Sequence, residues 1–188
     1  EQEYRKAIKY YLEKHAYENV DSEDLLIAFH EALGYSLDWF WEQWVYKGGE
    51  PNYNVNYKRI VQDITFTVEQ VHDTTDLIGP FKMPIVFEIH FTDGTSISKT
   101  EWIEKQNHKI KLTIEKGKKV AFVLFDADNK ILKNVTFKKS YNMLKAQAIA
   151  AENILDRYDA LVALKDFSYQ KKKGLLFEIF NAEEFYLL

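Results

Sequence analysis

The chain has 188 residues, 46% of them hydrophobic and 15% aromatic, enough for a real core and too apolar for an intrinsically disordered segment. Lys+Arg number 25 against 29 Asp+Glu, a formal net charge of -4, and neither half is strongly basic, which speaks against a nucleic-acid groove. Cysteine is absent, so no disulfide framework or thiolate zinc site is available, and no apolar run reaches the roughly 18 residues of a membrane span.

Tyr4, Ala7, Ile8, Tyr11, Leu12 and His15 recur at helical spacing, predicting a first helix with one face in search of a partner. The chain opens Glu1-Gln2-Glu3 without Met; no signal peptide is read there, and entry into helical periodicity at once reads as a boundary cut into a longer protein rather than as a natural N-terminus left by processing. Asp21-Ser22-Glu23-Asp24 is an N-terminal helix signal, with a capping side chain and acids where the helix dipole favours them. Leu25, Phe29, Ala32 and Leu33 form its buried stripe, and Gly34 is its stop. A third helix is expected from Ser36, with Leu37, Phe40, Trp41, Trp44 and Val45 as its stripe, ended by Gly48-Gly49 and Pro51.

After Pro51 the period changes to two. Tyr53, Val55 and Tyr57 alternate with polar residues, as do Ile64, Phe66 and Val68. Ile85, Phe87, Ile89 and Phe91 alternate up to Asp93-Gly94, a hairpin turn signal. Ile110, Leu112 and Ile114 follow, and residues 120–125 are apolar on both faces, the mark of a strand covered on both sides. We expect Phe87, Ile89, Phe122 and Leu124 inside the sandwich, and a last strand over residues 131–137. From Tyr141 the helical period returns: Leu144, Gln147, Ala148, Ala151, Ile154, Leu155 and Tyr158 read as one face, and residues 175–185 as another helix. The whole is an α+β chain: short helices over 1–50, a β-sandwich over 51–139 and further helices over 140–188.

His30-Glu31-Ala32-Leu33-Gly34 begins like the zinc-binding helix H-E-x-x-H, in which two His one turn apart meet one metal and the Glu is the base. Gly34 stands where the second His belongs, so the pair reads as a helix-rim pair. His15, His72, His90 and His108 have no partner at metal-ligand spacing, and His90, in a strand, reads as a surface or interface residue. Asp126, Asp128 and Asn129 open like a calcium loop, but Ile131 occupies the position of the turn Gly, so a β-turn is expected. Asn134-Val135-Thr136 matches the glycosylation sequon. Trp39, Trp41 and Trp44 could form a stacking platform, although Trp41 and Trp44 share a face with Phe40 and Leu37 and read as core. Lys171-Lys172-Lys173 reads as a solvated loop before a helix.

Several stretches carry a family resemblance. Ala7-Ile8-Lys9-Tyr10-Tyr11-Leu12-Glu13-Lys14-His15-Ala16-Tyr17-Glu18-Asn19 looks like the helix F/Y-x-x-x-I-x-x-Y-x-x-x-H-x-Y-x-N of gluzincin aminopeptidases, the aminopeptidase N family. Asp24-Leu25 resembles the family's next helix start. Phe40 to Trp44, then Gly49-Glu50-Pro51 and Val55, resembles its W-x-x-x-x-G-x-P-x-x-x-V signature. Met83-Pro84-Ile85 and Phe125-Asp126-Ala127-Asp128-Asn129-Lys130-Ile131-Leu132-Lys133 are similar to M-P-V and F-D-P-D-N-x-x-L-K of its sandwich domain, with Ala127 in place of Pro. Gln147 through Asp156-Arg157-Tyr158-Asp159-Ala160 resembles its following helices. The resemblance runs in order over residues 4–165.

It implies the last helices of a thermolysin-like catalytic domain, a β-sandwich and the beginning of a helical domain. The family's zinc ligands, the G-x-M-E-N strand that holds the substrate amino group and the Tyr that stabilises the intermediate map onto no position here. No catalytic, metal-binding or substrate-binding residue is therefore assigned, and no cofactor is expected in this piece. The implied parent is a zinc hydrolase that removes N-terminal residues from peptides, with this piece as scaffold against the rest of the catalytic domain. Self-association is expected through the face cut bare at Tyr4, Ile8, Tyr11, Leu12, Leu25 and Phe29. The alternatives are a stand-alone β-sandwich binding module for carbohydrate or protein, with Trp102 or the Trp39 group as platform, and a non-catalytic homologue of natural length.

Overall fold

A computed structural model describes residues 1–75 and 78–182. The chain divides into two compact units, one of residues 1–49 with 73–82, the other of residues 50–72 with everything from Met83 on.

The first unit holds α1 (Gln2–Lys14), α2 (Ser22–Leu33) and α3 (Asp38–Trp44). Asp21 caps α2 as expected: its carboxylate accepts from the Glu23 and Asp24 amides, and Asp24 accepts from the Asp21 amide in return. Gly34 closes the helix at φ 80, a left-handed angle that suits a residue without Cβ. The third helix starts later than expected, because the Ser36 hydroxyl accepts from the Asp38 amide and holds the chain in a turn up to Leu37. Aromatic rings fill the small core: Phe29 lies 5.9 Å from Tyr4 and 6.0 Å from Trp41, whose indole N–H donates to the Ser22 carbonyl at 2.9 Å. Phe29, expected on the bare face, is thus buried, while Tyr4 and Leu12 are exposed. Residues 79–82 return to this unit through Gln43, whose side chain pairs with both backbone groups of Lys82, and through Trp44, 5.1 Å from Phe81.

The second unit begins with β1 (Asn52–Ile60) and β2 (Asp63–Gln70), then β3 (Met83–Phe91), β4 (Ser96–Ile103), β5 (Asn107–Thr113), β6 (Val120–Phe125) and β7 (Asn134–Phe137). They form two sheets, ordered β5-β2-β1-β7 and β4-β3-β6. All neighbours are antiparallel except β1 and β7. Strict alternation in β2 buries Ile64, Phe66 and Val68 and leaves the Thr between them partly wet. The sheets face each other through these positions, with Phe66 5.1 Å from Phe87 and Tyr53 5.2 Å from Phe125.

Register corrects one expectation. Phe87 pairs with Phe125 and Ile89 with Val123, whereas Phe122 pairs with His90 and Leu124 with Glu88. Phe122 and Leu124 are buried, but on the opposite face of the sheet from Phe87 and Ile89. There the first of the C-terminal helices packs across β6. A strand apolar on both faces cannot itself say which set points inward.

The C-terminal helices are α4 (Tyr141–Ala150), α5 (Ile154–Ala163) and α6 (Tyr169–Ala182), with a 3-10 turn at Leu164–Asp166. The face read as continuous from Leu144 to Tyr158 is broken at Ala151, which turns extended, and the Asn153 side chain caps the restart by accepting from Leu155. The strand expected from Ile131 is shortened to start at Asn134, because Lys133 and the Ile131 amide are drawn to Asp126. The last helix starts at Tyr169 rather than 175, so Lys171 to Lys173 lie inside its first turns; its expected end at 185 lies outside the described residues.

Replacing Phe122 by Ala should cost about 3–5 kcal/mol, since it removes the ring on which His90 stacks at 4.3 Å under the helix layer. Urea unfolding checks it; a loss below about 1 kcal/mol would mean that this face is not packed.

Candidate functional site

His30 is exposed on α2, and Glu31 is held by Lys14 of α1 at 2.6 Å. That contact, before all else, lowers the Glu31 carboxyl and raises the Lys14 ammonium. With Glu31 engaged and Gly34 capping the helix, these residues do not fit a zinc ion. The other histidines do local structural work. Nδ1 of His15 lies 3.1 Å from Glu18, and Nδ1 of His72 accepts from the Asn52 amide. His90, half-buried, pairs with Glu88 at 2.8 Å and stacks on Phe122. Nε2 of His108 accepts from the amides of Glu104 and Lys105 at 3.0 and 2.8 Å, and burial lowers its pKa, so the neutral ring suits that acceptor role. Among the described residues, no three His, Asp or Glu side chains converge as metal ligands.

The aromatic candidates separate. Trp41 is buried and Trp44 half-buried in the first unit, while Trp102 is exposed on β4. The Asn134 amide of the sequon donates to Glu50 at 2.6 Å. The expected solvated lysine run is ordered. Lys171 lies over Tyr141 at 4.7 Å, and Lys172 donates to the Leu164 and Lys165 carbonyls at the end of the 3-10 turn.

The densest polar chemistry gathers where the loop between β6 and β7 meets α4 and α5. The expected β-turn is a tighter device: Asp126, Asp128 and Asn129 all sit at left-handed φ of 57, 69 and 51. Asp and Asn tolerate that region because their short side chains bond locally. The Lys133 ammonium fills the loop, donating to the Asp126 carboxylate and to the Asn129 side-chain oxygen at 2.6 Å. Asp126 also accepts from the Ile131 amide at 3.1 Å. From α5, Asp156 accepts from the Asp128 amide at 3.0 Å, and Asp159 from the Asn129 side chain at 3.3 Å.

Beside this loop opens a cavity of about 660 Å³, lined by Lys133, Lys139, Gln147, Asp156, Asp159 and apolar residues that include Phe137 and Leu144. The Lys139 ammonium donates to Gln147 Oε1 at 2.6 Å and lies 4.6 Å over the Phe137 ring. Burial pulls its pKa from 10.5 down to about 7, against the opposing pull of Asp156 and Asp159. Burial likewise holds the carboxyls of Asp156 and Asp159 above the usual range. Sequence reading quoted Asp156 and Asp159 for the family resemblance but gave neither a role. The available signal was confined to Gln147, a polar residue on the otherwise apolar face of its helix; Asp156 and Asp159 stand on the next helix.

No protein-family pattern and no curated protein sequence matches the chain. Among solved structures it is similar to Legionella pneumophila aminopeptidase A in complex with aspartic acid, with a TM-score of 0.72 and 15% identity. The match covers 96% of this chain and 22% of that one, so the chain spans about a fifth of the structure it resembles. At that identity the likeness is one of fold.

Lys139 makes a signed prediction about pH. Below about 7 it is charged in both states; between about 7 and 10.5 it is neutral when folded and charged when unfolded. The unfolded state then binds more protons, so this residue's contribution to stability rises with pH across that window. Lys139→Met removes the dependence. Urea unfolding should show the variant's advantage over wild type shrinking between about pH 6 and pH 9. An advantage that is flat or grows would contradict the shift.

Proposed function

We propose that the chain is a structural segment of a zinc aminopeptidase of the gluzincin, aminopeptidase N type, outside the part that holds the metal. Residues 1–50 are then the last helices of the catalytic domain, 51–139 a β-sandwich domain and 140–188 the beginning of a helical domain. The observation that carries the reading is the aminopeptidase fold likeness over almost the whole chain, which meets the motif order along residues 4–165 independently. The zinc would activate the attacking water in the parent. Because Glu31 is engaged and Gly34 is a cap, no step of that hydrolysis is assigned to residues here. The substrate peptides and the covering catalytic domain belong to the same proposal. The binding-module alternative gains little from Trp41 and Trp44, which pack within the helical unit.

The test is metal and activity analysis of the pure chain after incubation with zinc. We expect no stoichiometric zinc and no cleavage of aminoacyl anilides. One zinc per chain, or turnover abolished by Glu31→Gln, would overturn the reading. The exposed Tyr4 and Leu12 should also drive self-association of the isolated chain. Sedimentation should show Leu12→Glu returning it to monomer; a wild type monomeric at all concentrations would remove the bare-face argument.

A further inference from the structure

The cavity beside β7, α4 and α5 has one wall made by a lysine that forms no ion pair. Lys139 reaches into it with a single polar contact, to Gln147 Oε1. Its neighbour Lys133 differs: that side chain is only 7% exposed and bound to Asp126. No carboxylate lies within ion-pair distance of Lys139 among the described residues, although Asp156 and Asp159 line the same space. Gln147 is itself fixed, its amide donating to the Asp156 carbonyl at 2.7 Å, so the amine is positioned from behind. The residue as a whole is half-buried and lines the cavity, so the route to its nitrogen runs through that space.

We propose that Lys139 is an attachment point for a small aldehyde, bound in this cavity and held as an imine. Desolvation is the usual way a lysine becomes a nucleophile near neutral pH, and the lowered ammonium pKa agrees with that. The Lys139 lone pair attacks the carbonyl carbon, and a proton passes from nitrogen to oxygen to give a carbinolamine. Loss of that oxygen as water, with one proton supplied and one released, leaves C=N. The carboxyls of Asp156 and Asp159, which burial keeps protonated to higher pH than usual, face the space where that water departs. The remaining charged groups of the lining are Lys133, Lys138, Lys165 and Asp166. Leu144, Val162 and Phe167 offer an apolar wall to an uncharged chain, and the volume lies within the range of small-molecule sites.

The experiment treats the whole chain with butanal and cyanoborohydride, and follows each lysine by peptide mass mapping. Lys139 should be alkylated at least about tenfold faster than the exposed Lys145 at neutral pH. Its rate should saturate with aldehyde concentration and rise through about pH 7, where Lys145 still climbs above pH 9. Asp159→Asn removes a charge that favours the ammonium, and should move the Lys139 profile to lower pH. Lys139→Arg should remove the fast adduct; if that variant does not fold, the wild-type map and the Asp159→Asn profile still decide. Labelling of Lys139 no faster than Lys145 would overturn the proposal. So would a rate linear in aldehyde, which would mean that no site precedes the chemistry. Neither outcome bears on the aminopeptidase reading, which is judged by zinc and turnover.

Discussion

The ion pair between Asp126 and Lys133 is the constraint on which the second unit turns. The two side chains are 1% and 7% exposed, so removing either would leave a charge in a place that solvates it poorly. The pair persists because it is not alone: the Asn129 side chain takes a second ammonium proton and the Ile131 amide a second lobe of the carboxylate. Satisfying the ammonium in this way bends the backbone into three left-handed residues, which present the Asp128 amide to Asp156. One lysine thereby shortens β7, sets the loop and offers α5 its polar contact with the sheets.

The cavity follows from the same geometry. Once Asp156 is committed to the loop amide, Lys139 across the space has Gln147 but no carboxylate of its own. Two lysines on one short segment thus meet opposite fates, one fully paired and one left half-buried on an aromatic ring. Burial pushes Lys139 toward neutrality, and no carboxylate partner holds its charge in place.

Much of the architecture was legible where one period dominates. Ile64, Phe66 and Val68 announced a half-buried strand, and Asp21 with Gly34 bracketed α2 to the residue. Legibility failed where two demands compete. In β6 both faces are apolar, so the direction of Phe122 depended on a register that only pairing with β3 fixes. At Ala151 the apolar stripe runs straight through a break made by backbone and by the Asn153 cap. Lys171 and Lys173 are exposed as expected, but they lie in a helix rather than a loop, and Lys172 between them serves the preceding turn. The cluster of Asp126, Lys133 and Asp156 was harder still, since its members are 30 positions apart at most in sequence but meet only through the fold. A motif such as Asp126 to Lys133 can mark a family without revealing that its lysine is the buried partner of its first acid.

The most direct test is a double-mutant cycle on Asp126→Ala and Lys133→Met, read by urea unfolding. Each single change should cost about 3–5 kcal/mol, because each strands a buried charge. The double variant should cost less than their sum by about 2 kcal/mol or more, since neither charge is then left alone. Costs that add to within about 0.5 kcal/mol would show two independent residues, and would contradict the claim that their pairing organises the loop.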